Sequence, residues 1–297
     1  MMTLAQLMAR FPDEQTCREH LKALRWPEND VRCPRCRSRE KVYKANRSWR
    51  WVCKNCTKNG YGFSLTTGTI FENTKYPLRT WFQVLYLMLQ SKKGMSALQI
   101  QRTIGAGSYE TAWYMCHRLR AAMKDETFRK LTGVVEIDET YVGGKAQNAH
   151  RGNRGKGAPS IPPKTPVIGA IARKGNVVAQ VIEDTDRWTM ERFVRLTVNP
   201  NVSLVATDEH AGYARLNQLG FSHGTVKHKA GEYSKETVHG NVHTASLDSF
   251  WSLLKRGIMG SFHKVSKDYL PLYLNEFSFR HNHRQDPDVF DRVLESC

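Results

Sequence analysis

The sequence predicts a multidomain α+β protein: a zinc ribbon, then a helix-turn-helix-like helical unit, then an α/β domain with a mixed sheet. Three observations predict it. Two CxxC pairs lie near the N-terminus, helical periodicity interrupted by glycine follows them, and from residue 133 the pattern changes to short apolar runs that read as strands. The expected boundaries are an N-terminal helical segment over 1–30, the ribbon over 31–72, the helical unit over 73–130 and the α/β domain over 131–297.

Length and composition fit several compact units. With 297 residues and 40% hydrophobic content the chain can build real cores. No stretch reaches 18 apolar residues without a charge, so no transmembrane helix is expected, and residues 1–17 do not read as a secretory signal. The formal net charge of +17 points to a polyanionic partner, because Lys and Arg displace condensed counterions from a phosphate backbone. Of seven cysteines, four form tight pairs and three are scattered. That is not a disulfide framework, and a reducing cytoplasm, with the protein on the nucleoid, is the expected location.

Cys33-Pro34-Arg35-Cys36 and Cys53-Lys54-Asn55-Cys56 are separated by sixteen residues. Each CxxC turn aims two thiolates at one ion, and two turns complete a tetrahedron. Four thiolates leave no open position, so a structural Zn²⁺ is expected at Cys33, Cys36, Cys53 and Cys56. Arg32, Arg35, Arg37, Lys54 and Lys58 surround the pairs, as a DNA-contacting surface or as a solvated basic rim.

Leu78, Trp81, Phe82, Leu85, Met88 and Leu89 recur at helical spacing, which predicts an amphipathic helix over 78–91. Gly94 breaks it, Ser96 can cap a second helix through Arg102, Gly105-Ala106-Gly107 makes a turn, and Ser108 caps a third helix to about Met123. Two helices around a glycine turn suggest a helix-turn-helix whose last helix enters the major groove of DNA. Tyr109, Glu110, Thr111 and Tyr114 lie where base contacts are made, and His117, Arg118 and Arg120 are candidates for phosphates. The alternative is a helical spacer. Trp113 and Met115 read as core.

In the last domain Val134–Asp138 reads as a buried strand ending in a carboxylate. Strands over 166–172 and 176–182, a helix over 187–196, a strand over 202–206 ending near Asp208, a helix to about 219, a strand at 224–227 and a helix over 245–258 follow. Three strands, helix, strand, helix, strand, helix is the order of an RNase H-like α/β domain. In that topology the first and fourth strands are neighbours, so Asp138 and Asp208 are expected side by side. Facing carboxylates form a hard oxygen site for Mg²⁺ or Mn²⁺. Such ions activate the attacking oxygen and stabilise the leaving oxygen of an in-line phosphoryl displacement. Asp248, off the apolar stripe of the last helix, is the expected third carboxylate, and Lys255 on the same face is suited to a DNA phosphate.

Three blocks carry a resemblance. They are Val135-Glu136-Ile137-Asp138-Glu139-Thr140-Tyr141-Val142-Gly143-Gly144-Lys145, then Thr207-Asp208-Glu209-His210-Ala211-Gly212-Tyr213, then His243-Thr244 through Phe250-Trp251-Ser252-Leu253-Leu254-Lys255-Arg256-Gly257. Together with Ser64–Phe71, Thr80-Trp81-Phe82 and the tail Tyr273–Asn282, they resemble ISXO-type insertion-sequence transposases of the DDE class, over about residues 15–285. The resemblance implies a DNA transposase that binds the terminal inverted repeats of a mobile element and catalyses metal-dependent strand cleavage and strand transfer. It implies Asp138 and Asp208 as metal ligands and a homodimer or higher oligomer pairing two element ends on DNA. In the family the third block carries Asn and, three residues later, Glu, where this chain has Ala245 and Asp248. Asp keeps the charge with a shorter reach, and Ala removes a polar group. A catalytically weakened or domesticated DNA-binding regulator is therefore the competing reading.

The Gly/Pro-rich stretch between Gly144 and Lys164 carries Lys145, Arg151, Arg154 and Lys156 and no acid. It is read as a DNA-contacting loop leaving the first strand, with Arg256 adding to the cation set at the last helix. His223, His228, His239 and His243 fit no standard zinc spacing and are assigned to core or DNA contacts.

Overall fold

The computed structural model describes residues 2–125, 129–143, 164–227, 230–238 and 240–297. They form two compact units, one of residues 1–123 with 284–297 and one of residues 124–283.

In the first unit, helix α1 (Leu4–Arg10) begins with a capping box between Thr3 and Gln6, and α2 (Glu14–Arg25) is capped by Asp13. Each cap satisfies amide donors that have no partner within the first turn. The ribbon follows as an antiparallel sheet of β1 (Val42–Lys44), β2 (Arg50–Cys53) and β3 (Tyr61–Ser64), with β2 in the middle. Trp26 meets Trp51 edge to face and Trp51 stacks on Phe63, giving this small sheet an apolar floor.

The helical periodicity is realised as α3 (Leu78–Gln90), α4 (Ala97–Ile104) and α5 (Tyr109–Ala122). Ser96 and Ser108 cap α4 and α5 as expected, and α4 runs two residues past Arg102 because Gly105 takes a left-handed φ of 67° and closes it. The C-terminal helix α9 (Val289–Glu295) packs on α2, α3 and α5. Phe290 joins Phe11 and Phe82, while Asp291 accepts from Arg10 at 2.6 Å and meets His20 Nε2 at 2.9 Å. Residues 284–297 therefore belong with the N-terminal unit and not with the α/β domain, whose expected boundary at 297 is corrected to 283. The cause is apolar burial that no local pattern at the C-terminus announces.

The second unit is built on a five-stranded sheet of order β6-β5-β4-β7-β8: β4 (Val134–Val142), β5 (Thr165–Ala172), β6 (Val177–Val181), β7 (Leu204–Thr207) and β8 (His223–Thr225). The first three strands are antiparallel, and β4–β7 and β7–β8 are parallel. Helix α6 (Arg187–Thr197) covers one face over Val135, Ile137, Ile168 and Val205. Helices α7 (Ala245–Gly257) and α8 (Leu270–Asn282) cover the other over Val142, Val167, Ile171 and Val177. The side chain of Asn282 bonds both backbone groups of Val177, closing part of the β6 edge. This is the mixed sheet of an RNase H-like fold.

Three local expectations are corrected. Strand β4 continues four residues past Asp138, because β5 pairs along it as far as Val142. The helix expected after Asp208 is two 3₁₀ turns, Ala211–Tyr213 and Asn217–Leu219. Tyr213 and Leu216 are buried at a spacing of three, the period of that helix, and Gly220 at φ 87° ends it. A hairpin of β9 (Lys235–Thr237) and β10 (Gly240–Val242) stands between β8 and α7, where the sequence suggested no strand.

Candidate active site

Parallel pairing of β4 with β7 aligns Glu136 with Ala206. Two residues further on, each strand presents a carboxylate. Ligand atoms of Asp138, Glu139 and Asp208 all lie within 4.8 Å of one another. Asp138 sits on the face covered by α7 and α8, and neighbouring Glu139 points to the α6 face near Tyr213. Burial, and then the charges of Glu139, Asp208 and Asp248, push the Asp138 carboxyl up to about 7. Burial also raises Glu139. A group of acids that raise one another in this way fits a divalent cation, whose charge offsets their repulsion.

Each acid is held by a specific donor. Trp251 Nε1 on α7 donates to Asp138 Oδ2 at 3.0 Å. The indole can lie there because Gly169, the cross-strand partner of Asp138, has no side chain: a Cβ at Gly169 would come within 2.6 Å of the Trp251 ring. Tyr213 Oη donates to Glu139 Oε2 at 2.7 Å, and the His210 amide donates to Asp208 Oδ1 at 3.0 Å. Thr207 Oγ1 donates to the Asp208 carbonyl at 2.8 Å and meets His223 Nε2 at 2.8 Å. Burial lowers His223 to about 4, so it stays neutral beside the acids.

Glu136 lies on the same face of β4 as Asp138 and is fully buried, the least hospitable place for a carboxylate. It is satisfied from four sides. Arg173 Nε donates at 2.8 Å, the Ser246 and Leu247 amides at 2.8 and 3.1 Å, and Ser246 Oγ at 3.0 Å, with His243 Nδ1 at 3.2 Å. No side chain of α7 itself caps that helix, so Glu136 does so from the sheet, favourably placed at the positive end of the helix dipole. One carboxylate thereby ties the strand bearing Asp138 to the turn bearing Asp248.

Asp248 is exposed on that first turn and accepts from Thr244 Oγ1 at 3.1 Å. It lines the same 410 Å³ cleft as Asp138, Glu139, Ser252, Lys255 and Arg256, but it lies outside the tight three-acid group. The tight group thus contains Glu139 where the sequence pointed to Asp248. Lys255 and Arg256 are exposed on the last turn of α7.

Other expected site residues fall differently. The four ribbon thiols converge, with Cys33 Sγ 3.6 Å from Cys56 Sγ and Cys36 Sγ 3.7 Å from Cys53 Sγ. Zn–S bonds of about 2.3 Å in a tetrahedron set the sulfurs about 3.8 Å apart, so these residues fit a structural Zn²⁺. On α5, Tyr109 and Tyr114 are exposed. Arg120 is only 2% exposed and His117 is buried beside Trp113, so neither faces solvent where a phosphate would lie. Arg118 donates to the Glu72 carbonyl at 2.9 Å and lies over the Tyr114 ring. Met115 is core as expected, while Trp113 is only partly buried. Lys145, Arg151, Arg154, Lys156, His228 and His239 lie outside the described residues. His243 Nδ1 accepts from the Ala245 amide at 3.3 Å and lies 3.2 Å from Glu136, and His223 bonds Thr207, so both have partners within the domain.

Sequence reasoning missed Glu136, Tyr213 and the indole of Trp251 as site residues. Glu136 left a signal: an acid inside an otherwise apolar strand must have buried partners. Trp251 appeared only as part of an apolar stripe, and its N–H is invisible to a periodicity argument.

A mixed RNase H-like sheet carrying acids on its two central parallel strands, preceded by a four-thiol ribbon, defines a class of DDE nucleic-acid-processing domains. Residues 130–282 match the ISXO2-like transposase domain and residues 12–59 the transposase zinc-ribbon domain. The chain belongs to the ISXO2-like transposase family. It is 31% identical to an uncharacterized protein in transposable element ISH50 of Halobacterium salinarum (strain ATCC 700922 / JCM 11081 / NRC-1), across 97% of this chain and 98% of that one. A simian T-cell lymphotropic virus intasome in complex with PP2A regulatory subunit B56 gamma overlays on 65% of this chain and 64% of its own at 13% identity. Its TM-score of 0.29 is too low to bear on the fold. No helix among the described residues is long and apolar enough to cross a membrane.

Proposed function

We propose that this transposase binds the terminal inverted repeats of an insertion sequence and cleaves and joins DNA strands with Mg²⁺ or Mn²⁺ held by Asp138 and Asp208. The observation that carries the reading is the pair of acids on adjacent parallel strands, with Glu139 within 4.8 Å. Bound there, the cation supplies Lewis-acid stabilisation and activates an attacking oxygen. The chain's own residues do the rest. Trp251 and the His210 amide each engage one oxygen of an acid and leave the other for a ligand. Lys255 and Arg256, lining the same cleft, would take a DNA phosphate, and Asp248 would complete the set of acids that holds the metal. In the N-terminal unit, α5 offers Tyr109 and Tyr114 for base contacts, while Arg151, Arg154 and Lys156 supply further phosphate contacts. Pairing of two element ends calls for a homodimer or larger assembly.

Ala245 and the short Asp248, standing where the family carries Asn and Glu, favour a second reading, a catalytically weakened protein retained for DNA binding. One experiment separates them. The protein is incubated with Mg²⁺ and the DNA flanking its own gene, and breaks are mapped for the parent, Asp138→Asn and Asp208→Asn. Cleavage by the parent alone, with binding intact in both variants, supports the enzyme. Binding without cleavage by the parent supports the regulator, and cleavage by either variant removes that residue from the site.

A further inference from the structure

Outside the acidic site, the N-terminal unit contains a second concave feature, a cleft of 440 Å³. Three segments meet around it: the start of α2, the two ends of the ribbon hairpin, and the stretch leading into α3. That volume lies in the range that holds a small ligand.

Its chemistry is that of an anion site. Arg18, Arg50 and Lys75 line it against a single acid, Glu14. Glu14 is already engaged on both oxygens, by Arg18 Nε at 2.9 Å and by the Arg79 amide at 3.2 Å. Arg50 and Lys75 are exposed and have no ion-pair partner among the described residues. The start of the 13-residue helix α3 lines the same cleft through Pro77 and Leu78, and the Glu14 carboxylate already accepts from its Arg79 amide. Arg50 and Lys75, without ion-pair partners among the described residues, converge on one volume beside Arg18, which suits a phosphate.

The aromatic component is separate. Trp49 lines the cleft, is partly exposed, and has a φ of 62°. Bulky L-residues rarely adopt this left-handed region. An available indole beside a phosphate-binding set is the pairing used to hold unstacked bases.

We infer that this cleft holds one unpaired nucleotide of a DNA strand, its phosphate between Arg50 and Lys75 and its base against Trp49. The inference rests on the reading of this chain as a DNA-binding transposase and adds a subsite to it. A volume of 440 Å³ matches one nucleotide, so the ligand class is a strand end, an overhang or an extruded base.

The test uses the full chain with its zinc, fluorescein-labelled oligothymidylate of about ten nucleotides, and a blunt duplex. Arg50→Ala with Lys75→Ala should weaken oligothymidylate binding about tenfold or more and flatten its log–log salt slope by roughly 0.7 per lost phosphate contact. Trp49→Ala should weaken it about tenfold, and Trp49→Phe, which keeps a stacking face, should restore most of the loss. Blunt-duplex affinity should change little in any of them. Equal losses on both probes would mean that the cleft reads paired backbone, and unchanged binding of both would mean that it is not a DNA site. Either result overturns the inference while leaving DNA binding itself intact. Displacement of the oligothymidylate by free thymidine monophosphate at similar affinity would assign the cleft to a free nucleotide and also overturn it. If the parent binds neither probe, the DNA-binding reading fails first.

Discussion

Replacing Glu136 by alanine should uncouple helix α7 from strand β4 and destabilise the α/β unit by about 4 kcal/mol, the range for breaking a buried ion pair. The carboxylate is fully buried and accepts from Arg173, Ser246 and Leu247. Its loss leaves the Arg173 guanidinium, whose side chain is 22% exposed, without its acid, and leaves two helix-start amides without an acceptor. A lost helix cap alone costs about 1 kcal/mol, and the two effects overlap, so they do not simply add. Arg173 keeps its bond to the His243 carbonyl and some access to water, which moderates the cost. In a unit of this size each kcal/mol shifts Tm by roughly 2–4 °C, so a fall of about 10 °C is expected. Glu136→Gln retains an acceptor for the amides but removes the charge facing Arg173, and should lose about half as much. Calorimetry that resolves the two units measures the shift, and hydrogen exchange at the Ser246 and Leu247 amides shows where it arises. A shift under about 2 °C for alanine, or unchanged exchange at those amides, would refute the tether.

Three further outcomes follow from the geometry. Elemental analysis should find one zinc per chain, and Cys53→Ser should lose it together with the ribbon's protection from proteolysis; a zinc-free folded ribbon with alkylatable thiols would sink the assignment. Without divalent metal, stability should fall as pH rises toward and through about 7: the folded Asp138 carboxyl stays protonated up to about 7 and the unfolded one only to about 4, so the folded state binds the extra proton in that window. Mn²⁺ or Mg²⁺ should offset the fall and Asp138→Asn should reduce it, leaving the smaller part due to Glu139, and a metal-free pH profile unchanged by that substitution would contradict it. Asp248→Ala should lose cleavage nearly as fully as Asp138→Asn while Asp248→Glu keeps or raises it; if Asp248→Ala cleaves normally and Glu139→Gln does not, Glu139 is the third acid.

Much of the fold was legible because its signals are local. The CxxC spacing, the serine caps at Ser96 and Ser108 and the glycine turn between them are each set by chemistry within a few residues. The strand order was legible for the same reason, since apolar runs of strand length need no partner to be recognised. What was hidden depended on partners distant in sequence. The extension of β4 to Val142 is fixed by β5, and the place of α9 by Phe11 and Phe82, both more than 200 residues away in sequence. The 3₁₀ turns after Asp208 are fixed by what Tyr213 and Leu216 pack against.

The same division runs through the candidate site and explains why its acids were easier to find than their supports. Asp138 and Asp208 stand at corresponding levels of two neighbouring strands, and strand order alone brings them together. Which third acid joins them is a matter of side-chain reach, and there the structure separates Glu139, within 4.8 Å of both, from Asp248, which shares only the cleft. That difference turns on the orientation of α7. Two side chains set it from the sheet side: Glu136 grips the helix start, and Gly169 admits the Trp251 ring that bonds Asp138. Neither residue is a ligand or belongs to α7, and the reach of Asp248 is set by both. An acid within an apolar strand and a glycine opposite Asp138 are therefore as informative about this site as the carboxylates themselves.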